Sequence, residues 1–145
     1  MKILVPVDGS RYSTEALKVA LDCAKLKGAA MDIISIAPDA SNIDLEVSAS
    51  QRERIMQRME QQADSAVQEA GKMATSAGVK AGCKVITSNT SIADAILAFS
   101  EEAKSDLIVM GSRGLSQSSR FKMGSVASQV VKYSDCSVHI VKLPG

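Results

Sequence analysis

Ile3-Leu4-Val5-Pro6-Val7-Asp8-Gly9-Ser10 is the stretch on which the fold turns. Its first five residues are apolar throughout, the composition of a parallel strand covered on both faces, and this predicts a central strand over Ile3 to Val7. Asp8-Gly9-Ser10 then breaks the strand. Leu17, Ala20, Leu21 and Ala24 recur at helical spacing before Gly28 ends the run, which completes one strand-helix unit.

The same alternation continues outward along the chain. A second strand is expected over Met31 to Ala37, followed by the connection Pro38 to Ala49, whose length suits a functional or mobile loop. Ser50 and Glu53 form a capping-box pattern for a long amphipathic helix carrying Ile55, Met56, Met59, Ala63, Ala66, Val67 and Ala70 and ending near Gly78. Gly71 weakens that helix locally by roughly 1 kcal/mol against alanine. Its methionines fall on the apolar stripe and are read as core filling. Lys80 to Thr87 reads as a third strand, and Ser91 with Asp94 starts a helix bearing Ile92, Ala95, Ile96 and Phe99. A fourth strand covers Asp106 to Met110. Ser125 opens a short helix with Val126, Ala127, Val130 and Val131 on its apolar side, and Ser137 to Leu143 is the last strand. Strands alternating with helices from end to end predict one α/β domain over 1-145, built around a mainly parallel sheet.

Bulk properties narrow the function. The 145 residues carry 17 Lys+Arg against 16 Asp+Glu, so no basic field points to nucleic acid. No apolar run approaches the ~20 residues that span a bilayer, and the N-terminus is too short for a signal peptide, so a cytoplasmic location is expected. Cys23, Cys83 and Cys136 lie far apart without metal-ligand spacing, and are read as reduced, mostly buried thiols.

Chemistry concentrates near the C-terminus. Met110-Gly111-Ser112-Arg113-Gly114 is followed after nine residues by Gly124-Ser125 at a helix start. Glycine lets backbone approach a phosphate, and the free N–H groups and positive dipole end of a first helical turn attract anions. Arg113, Arg120 and Lys122 add positive charge, and the Ser125 hydroxyl is available to cap the helix or to donate to phosphate. Glycines of this kind also serve as plain turns. Asp8 faces the same crevice if the first and fourth strands are neighbours, where it suits a sugar hydroxyl, a base or a divalent ion; the alternative is an Asx turn with Gly9 and Ser10. Neither a GxxxxGK[ST] loop nor an early GxGxxG turn is present.

On these residues the chain resembles the universal stress protein family over its whole length: the opening Ile3 to Ser10, the Asp106-to-Gly111 strand and the ending Cys136 to Lys142 are all similar to that family's. Gly111, Gly114, Gly124 and Ser125 match the pattern G-x2-G-x9-G-[S/T] of its ATP-binding branch, although Gln117-Ser118-Ser119 is more polar than the commoner loop. The resemblance implies a doubly wound, Rossmann-like five-stranded parallel sheet of order 3-2-1-4-5 with four helices, binding ATP with Mg or Mn. By position, Pro6, Asp8 and Ile36 would contact adenine, Met110 and Gly111 the ribose, and Ser112, Arg113, Gly114, Gly124, Ser125 and Val126 the phosphates. It also implies a homodimer through the last strand, 137-143. There Val138 and Ile140 alternate with His139 and Val141, and an open strand edge is a template for pairing unless the chain's own terminal residues cover it.

The reading that follows is a regulatory ATP binder acting in stress response, with an unidentified protein partner. A slow ATPase or autophosphorylating enzyme is the alternative; from Gly111 to Ser125 there is no Asp, Glu or His to position a water or a hydroxyl, and no catalytic residue is assigned. A nucleotide-independent interaction module is the third reading.

Overall fold

In a computed structural model, residues 1–39, 47–114 and 123–143 are described. Arg120, Lys122, the Gln117-Ser118-Ser119 stretch and most of the Pro38 to Ala49 connection lie outside them. The elements run β1 (Lys2–Pro6), α1 (Arg11–Lys27), β2 (Ala30–Pro38), α2 (Ala49–Ser76), β3 (Ala81–Ser88), α3 (Ile92–Ala103), β4 (Leu107–Gly111), α4 (Ser125–Tyr133) and β5 (Ser137–Val141). All pairings are parallel and the strand order is β3-β2-β1-β4-β5, the order expected.

The central position of β1 follows from its composition. Ile3 and Val5 pack with α1 and α2 on one face, while Leu4 packs with α3 and α4 on the other, and all three are fully buried. Burying a side chain of this size contributes roughly 1.5–3 kcal/mol, so a polar residue at any of the three would cost heavily. The first layer gathers Leu17, Leu21, Ile33, Val67 and Val109. The second gathers Ile34, Ile96, Ile108 and Val130.

Local signals place the helix ends. Ser10 caps α1, its Oγ accepting from Ser13 N at 3.2 Å, and Gly28 closes it in the left-handed region at φ 61°, donating its N–H to Ala24 O. The capping box of α2 lies two residues before the expected one. Ser48 Oγ accepts from Gln51 N at 3.2 Å and Gln51 Oε1 accepts from Ser48 N at 3.1 Å, so Gln51 fills the role expected of Glu53. Glutamine serves equally at that position. Gly71, inside α2, has a packing reason: a Cβ there would lie 3.1 Å from Cys83 Sγ on β3. Burial pushes the Cys83 thiol up from its ordinary range, although the residue as a whole is exposed and Cys23 and Cys136 are half-buried. The cysteines are therefore less buried than expected. Val131, placed on the apolar side of α4 by periodicity, is exposed.

Candidate functional site

β1 pairs with β2 over five positions but with β4 over only two, Ile3 with Leu107 and Leu4 with Ile108. Beyond those pairs the two central strands part. The chain leaves β1 for α1 on one face and leaves β4 for α4 on the other, which opens a crevice at the carboxyl ends of the strands. The crevice is a cleft of about 570 Å³, within the ~300–1,000 Å³ of small-molecule sites. Pro6, Asp8, Ile36, Met110, Gly111, Ser112, Arg113, Gly114, Gly124, Ser125 and Val126 all stand on its wall.

Asp8 makes the Asx turn and also stands on the wall of the cleft. Oδ1 accepts from Ser10 N at 2.9 Å, which makes the Asx turn, and Asp8 N donates to Ser13 Oγ at 3.3 Å. Oδ2 is turned across the cleft, where a Cβ on Gly114 would lie 2.5 Å from it. One oxygen holds the turn and the other faces the loop.

The three loop glycines have three different reasons. A Cβ on Gly111 would lie 2.7 Å from Tyr12 Cβ and 2.8 Å from the Tyr12 carbonyl carbon, so close packing of α1 on β4 demands glycine there. Gly114 is needed for the approach to Asp8. Gly124 is the N-cap of α4, with φ −72° and ψ 166°, and makes no side-chain capping bond. Among the described residues its Cβ would meet nothing nearer than Ser112 O at 3.4 Å. Neither its backbone angles nor its neighbours among the described residues require glycine, at a position where Ser, Thr, Asp and Asn usually cap. Ser125 is the first residue of α4 rather than its cap, so the expected capping role of its hydroxyl does not occur; the cap falls one residue earlier. Among the described residues the first turn of α4 thus has backbone N–H groups at the cleft without a side-chain cap.

Ser112 ties these parts together. It is 2% exposed, donates its N–H to Val141 O at 3.0 Å and accepts from Gly124 N at 2.7 Å. One residue thereby joins the loop to the end of β5 and the start of α4. Arg113 beside it is half-buried and supplies the cation expected of it on the wall.

Several wall residues escaped the sequence reading. Ser35 from β2, Met59, Gln62 and Ala63 from α2, and Ile92 and Ile96 from α3 complete the cleft. Met59 is 36% exposed and Ile92 44% exposed, so the methionine expected in the core is a cleft residue. The signal was length. A 28-residue helix runs about 42 Å against about 27 Å for the eight-residue β3, so the start of α2 overhangs the sheet.

The fold and the position of its cleft define a doubly wound α/β protein with its site at the switch between strands. The profile of the Universal stress protein family matches residues 1–142. Universal stress protein MJ0531 of Methanocaldococcus jannaschii is 35% identical over 143 residues, covering 99% of this chain and 82% of that protein. Universal stress protein UspA from Lactobacillus plantarum superposes with TM-score 0.86 at 21% identity, covering 98% of this chain and 97% of that one. A universal stress protein solved in complex with cAMP has TM-score 0.72 at 25% identity, covering 99% and 98%. An Arabidopsis thaliana member, At3g01520, solved with AMP bound has TM-score 0.73 at 17% identity, covering 100% and 93%. The chain belongs to the universal stress protein family.

Proposed function

We propose that the chain is an ATP-binding regulatory module of the stress response, acting as a homodimer through its C-terminal strand. Gly124 is the observation that carries the reading. A helix start facing a cleft, with glycine where neither backbone nor packing among the described residues asks for it, leaves first-turn N–H groups without a side-chain cap there for an anionic ligand. Arg113 adds charge on the same wall. Phosphates would lie along Gly111 to Gly114 and the first turn of α4, the ribose beside Met110, and the base toward Pro6, Asp8 and Ile36. The nucleotides named for the cAMP and AMP complexes support an adenine ligand.

Among the described residues no group of three His, Cys, Asp or Glu side chains is placed to hold a metal, and Asp8 is the single carboxylate on the wall. A divalent ion, Mg or Mn, would therefore arrive with the phosphates, with Asp8 Oδ2 as its one acidic neighbour among the described residues. Asp8 already holds the turn through Oδ1, which favours retention of nucleotide over turnover.

The test is mass spectrometry of the nucleotide released on denaturing the purified protein, with calorimetric titration of the stripped chain by ATP, ADP and AMP in the presence of magnesium. Retained ATP, and saturable binding lost in Gly114→Val, are expected. Released ADP would favour the hydrolytic reading. No bound nucleotide and no heat from any of the three would leave an interaction module.

A further inference from the structure

A second cavity lies at the opposite end of the sheet from the cleft. Its volume is about 240 Å³, below the ~300–1,000 Å³ of sites for drug-sized ligands, so it suits a molecule of a few heavy atoms. It opens between the end of α3 and the turn from α4 into β5, and Leu97, Ser100, Ser105, Ser134 and Cys136 stand on its wall. No role assigned above uses any of them.

The end of α3 is polar where such an end is commonly apolar. Lys104 N donates to Glu101 O at 3.3 Å and Ser105 N to Ser100 O at 3.0 Å, the paired bonds of a Schellman motif. That motif frequently packs one hydrophobic residue at the position of Ser105 against another at the position of Ser100. Here both are serines, 9% and 6% exposed. Ser105 Oγ is fully enclosed and has no hydrogen-bond partner. A buried hydroxyl left unpaired costs free energy, so folding gives no reason for it, and a polar group brought beside it recovers that cost.

The thiol on the same wall is set between two hydroxyls. Cys136 Sγ lies 3.4 Å from Ser134 Oγ and 3.6 Å from Ser100 Oγ. Ser134 Oγ gives its own hydrogen to Cys136 O at 2.9 Å, so toward the sulfur it can only accept, and it takes the S–H. Ser100 is then the donor to the sulfur. A thiol with an acceptor for its proton and a donor for its sulfur is arranged to react as the thiolate. Exposure alone would choose a different cysteine, since Cys83 is exposed and Cys136 half-buried. Among the described residues, however, Cys83 Sγ reaches only Ala81 O, at 3.9 Å, and burial of its thiol pushes it up from its ordinary range, which leaves less thiolate.

We propose that Cys136 is a site of reversible oxidation by a small hydroperoxide, with Ser105 holding the oxygen that the sulfur acquires. The sulfur attacks one peroxide oxygen, and the S–O bond forms as the O–O bond breaks. The departing oxygen takes the thiol proton and leaves as water or alcohol, so Cys–SH becomes Cys–SOH while the peroxide is reduced. Neither Cys23 nor Cys83 stands on the cavity wall to form a disulfide with it. Two equivalents of an external thiol reverse the change through a mixed disulfide, releasing water and the external disulfide.

The test treats the reduced native chain and Ser105→Ala with hydrogen peroxide in the presence of dimedone, and locates the sulfenic acid adduct by peptide mass spectrometry. In the native chain the adduct is expected on Cys136 at severalfold the level on Cys23 or Cys83. Ser105→Ala should cut the Cys136 adduct severalfold with the melting temperature unchanged or raised, because it removes a hydroxyl that has no partner. A native adduct that follows exposure, with Cys83 first, overturns the inference whatever the variant does. So does a Ser105→Ala chain that labels Cys136 as the native one does, or that melts several degrees lower. The cavity lies away from the cleft, so each of these outcomes leaves the nucleotide reading where it stands.

Discussion

At the scale of single residues, Gly111 and Gly124 divide what a glycine in a loop can mean. Gly111→Ala drives a methyl into the backbone of Tyr12 and should cost about 1–3 kcal/mol of stability, as overpacking does. Urea denaturation of native and variant protein checks it. Gly124→Asp should act in the opposite sense on folding. The carboxylate gains the N–H groups of the first turn of α4 and favourable contact with the helix dipole, a gain of a few tenths of a kcal/mol. The same carboxylate occupies the proposed phosphate position with the wrong charge, so nucleotide binding should be lost while the unliganded melting temperature holds or rises. A variant that melts higher and still binds ATP would show that the phosphates lie elsewhere. The loop part of the cleft wall was legible at this scale because glycine spacing and a helix start are local features. The individual reasons were not, since Tyr12 and Asp8 meet these glycines only through about a hundred residues of intervening chain.

The helices carry their own tests in their caps. Ser48→Ala removes the side-chain acceptor of Gln51 N, one of the two bonds of the α2 capping box, and should destabilise by about 1 kcal/mol, seen as fraying at the start of α2 by hydrogen exchange before any global loss. Lys104 ends α3 in the left-handed region at φ 56° and ψ 49°, a conformation that costs a residue with a Cβ roughly 1–2 kcal/mol. Lys104→Gly should therefore raise stability, by about 0.5–1 kcal/mol after the extra freedom of glycine in the unfolded chain is subtracted. The sequence reading found every strand and helix to within a few residues because parallel strands and amphipathic helices write different periods. It misplaced the start of α2 by choosing Ser50 and Glu53 over Ser48 and Gln51, two patterns of equal local quality. It took Met59 for core because a helical stripe does not say where the sheet beneath it stops.

Across the whole molecule, ligand binding and folding are one equilibrium. ATP at 100 times its dissociation constant should stabilise the chain by about 2.7 kcal/mol, a rise in melting temperature of roughly 5–11 °C for a chain of this size. Differential scanning fluorimetry of the stripped protein against ATP concentration measures it, and a midpoint independent of ATP would contradict the proposed binding. β5 lies at the edge of the sheet, and Ser112 joins its last residue to the loop. Sedimentation velocity over a range of protein concentrations, with and without ATP, tests both the proposed dimer and its coupling to the cleft. The strand order was accessible from the sequence through resemblance. The α2 side of the cleft was not, because Ser35 of β2 and Gln62 of α2 come to one wall only through the packing of α2 on the sheet.

The sparse pairing of β1 with β4 also has a meaning in time. The residues assigned to the base end at Ile36, and those assigned to the ribose and phosphates begin only at Met110. At ~5–20 residues per second, synthesis takes roughly 4–15 s to cross that interval. For those seconds a growing chain holds half a site and can keep no ligand, so whatever nucleotide the finished protein carries is acquired late, from the surroundings into which the last quarter of the chain emerges.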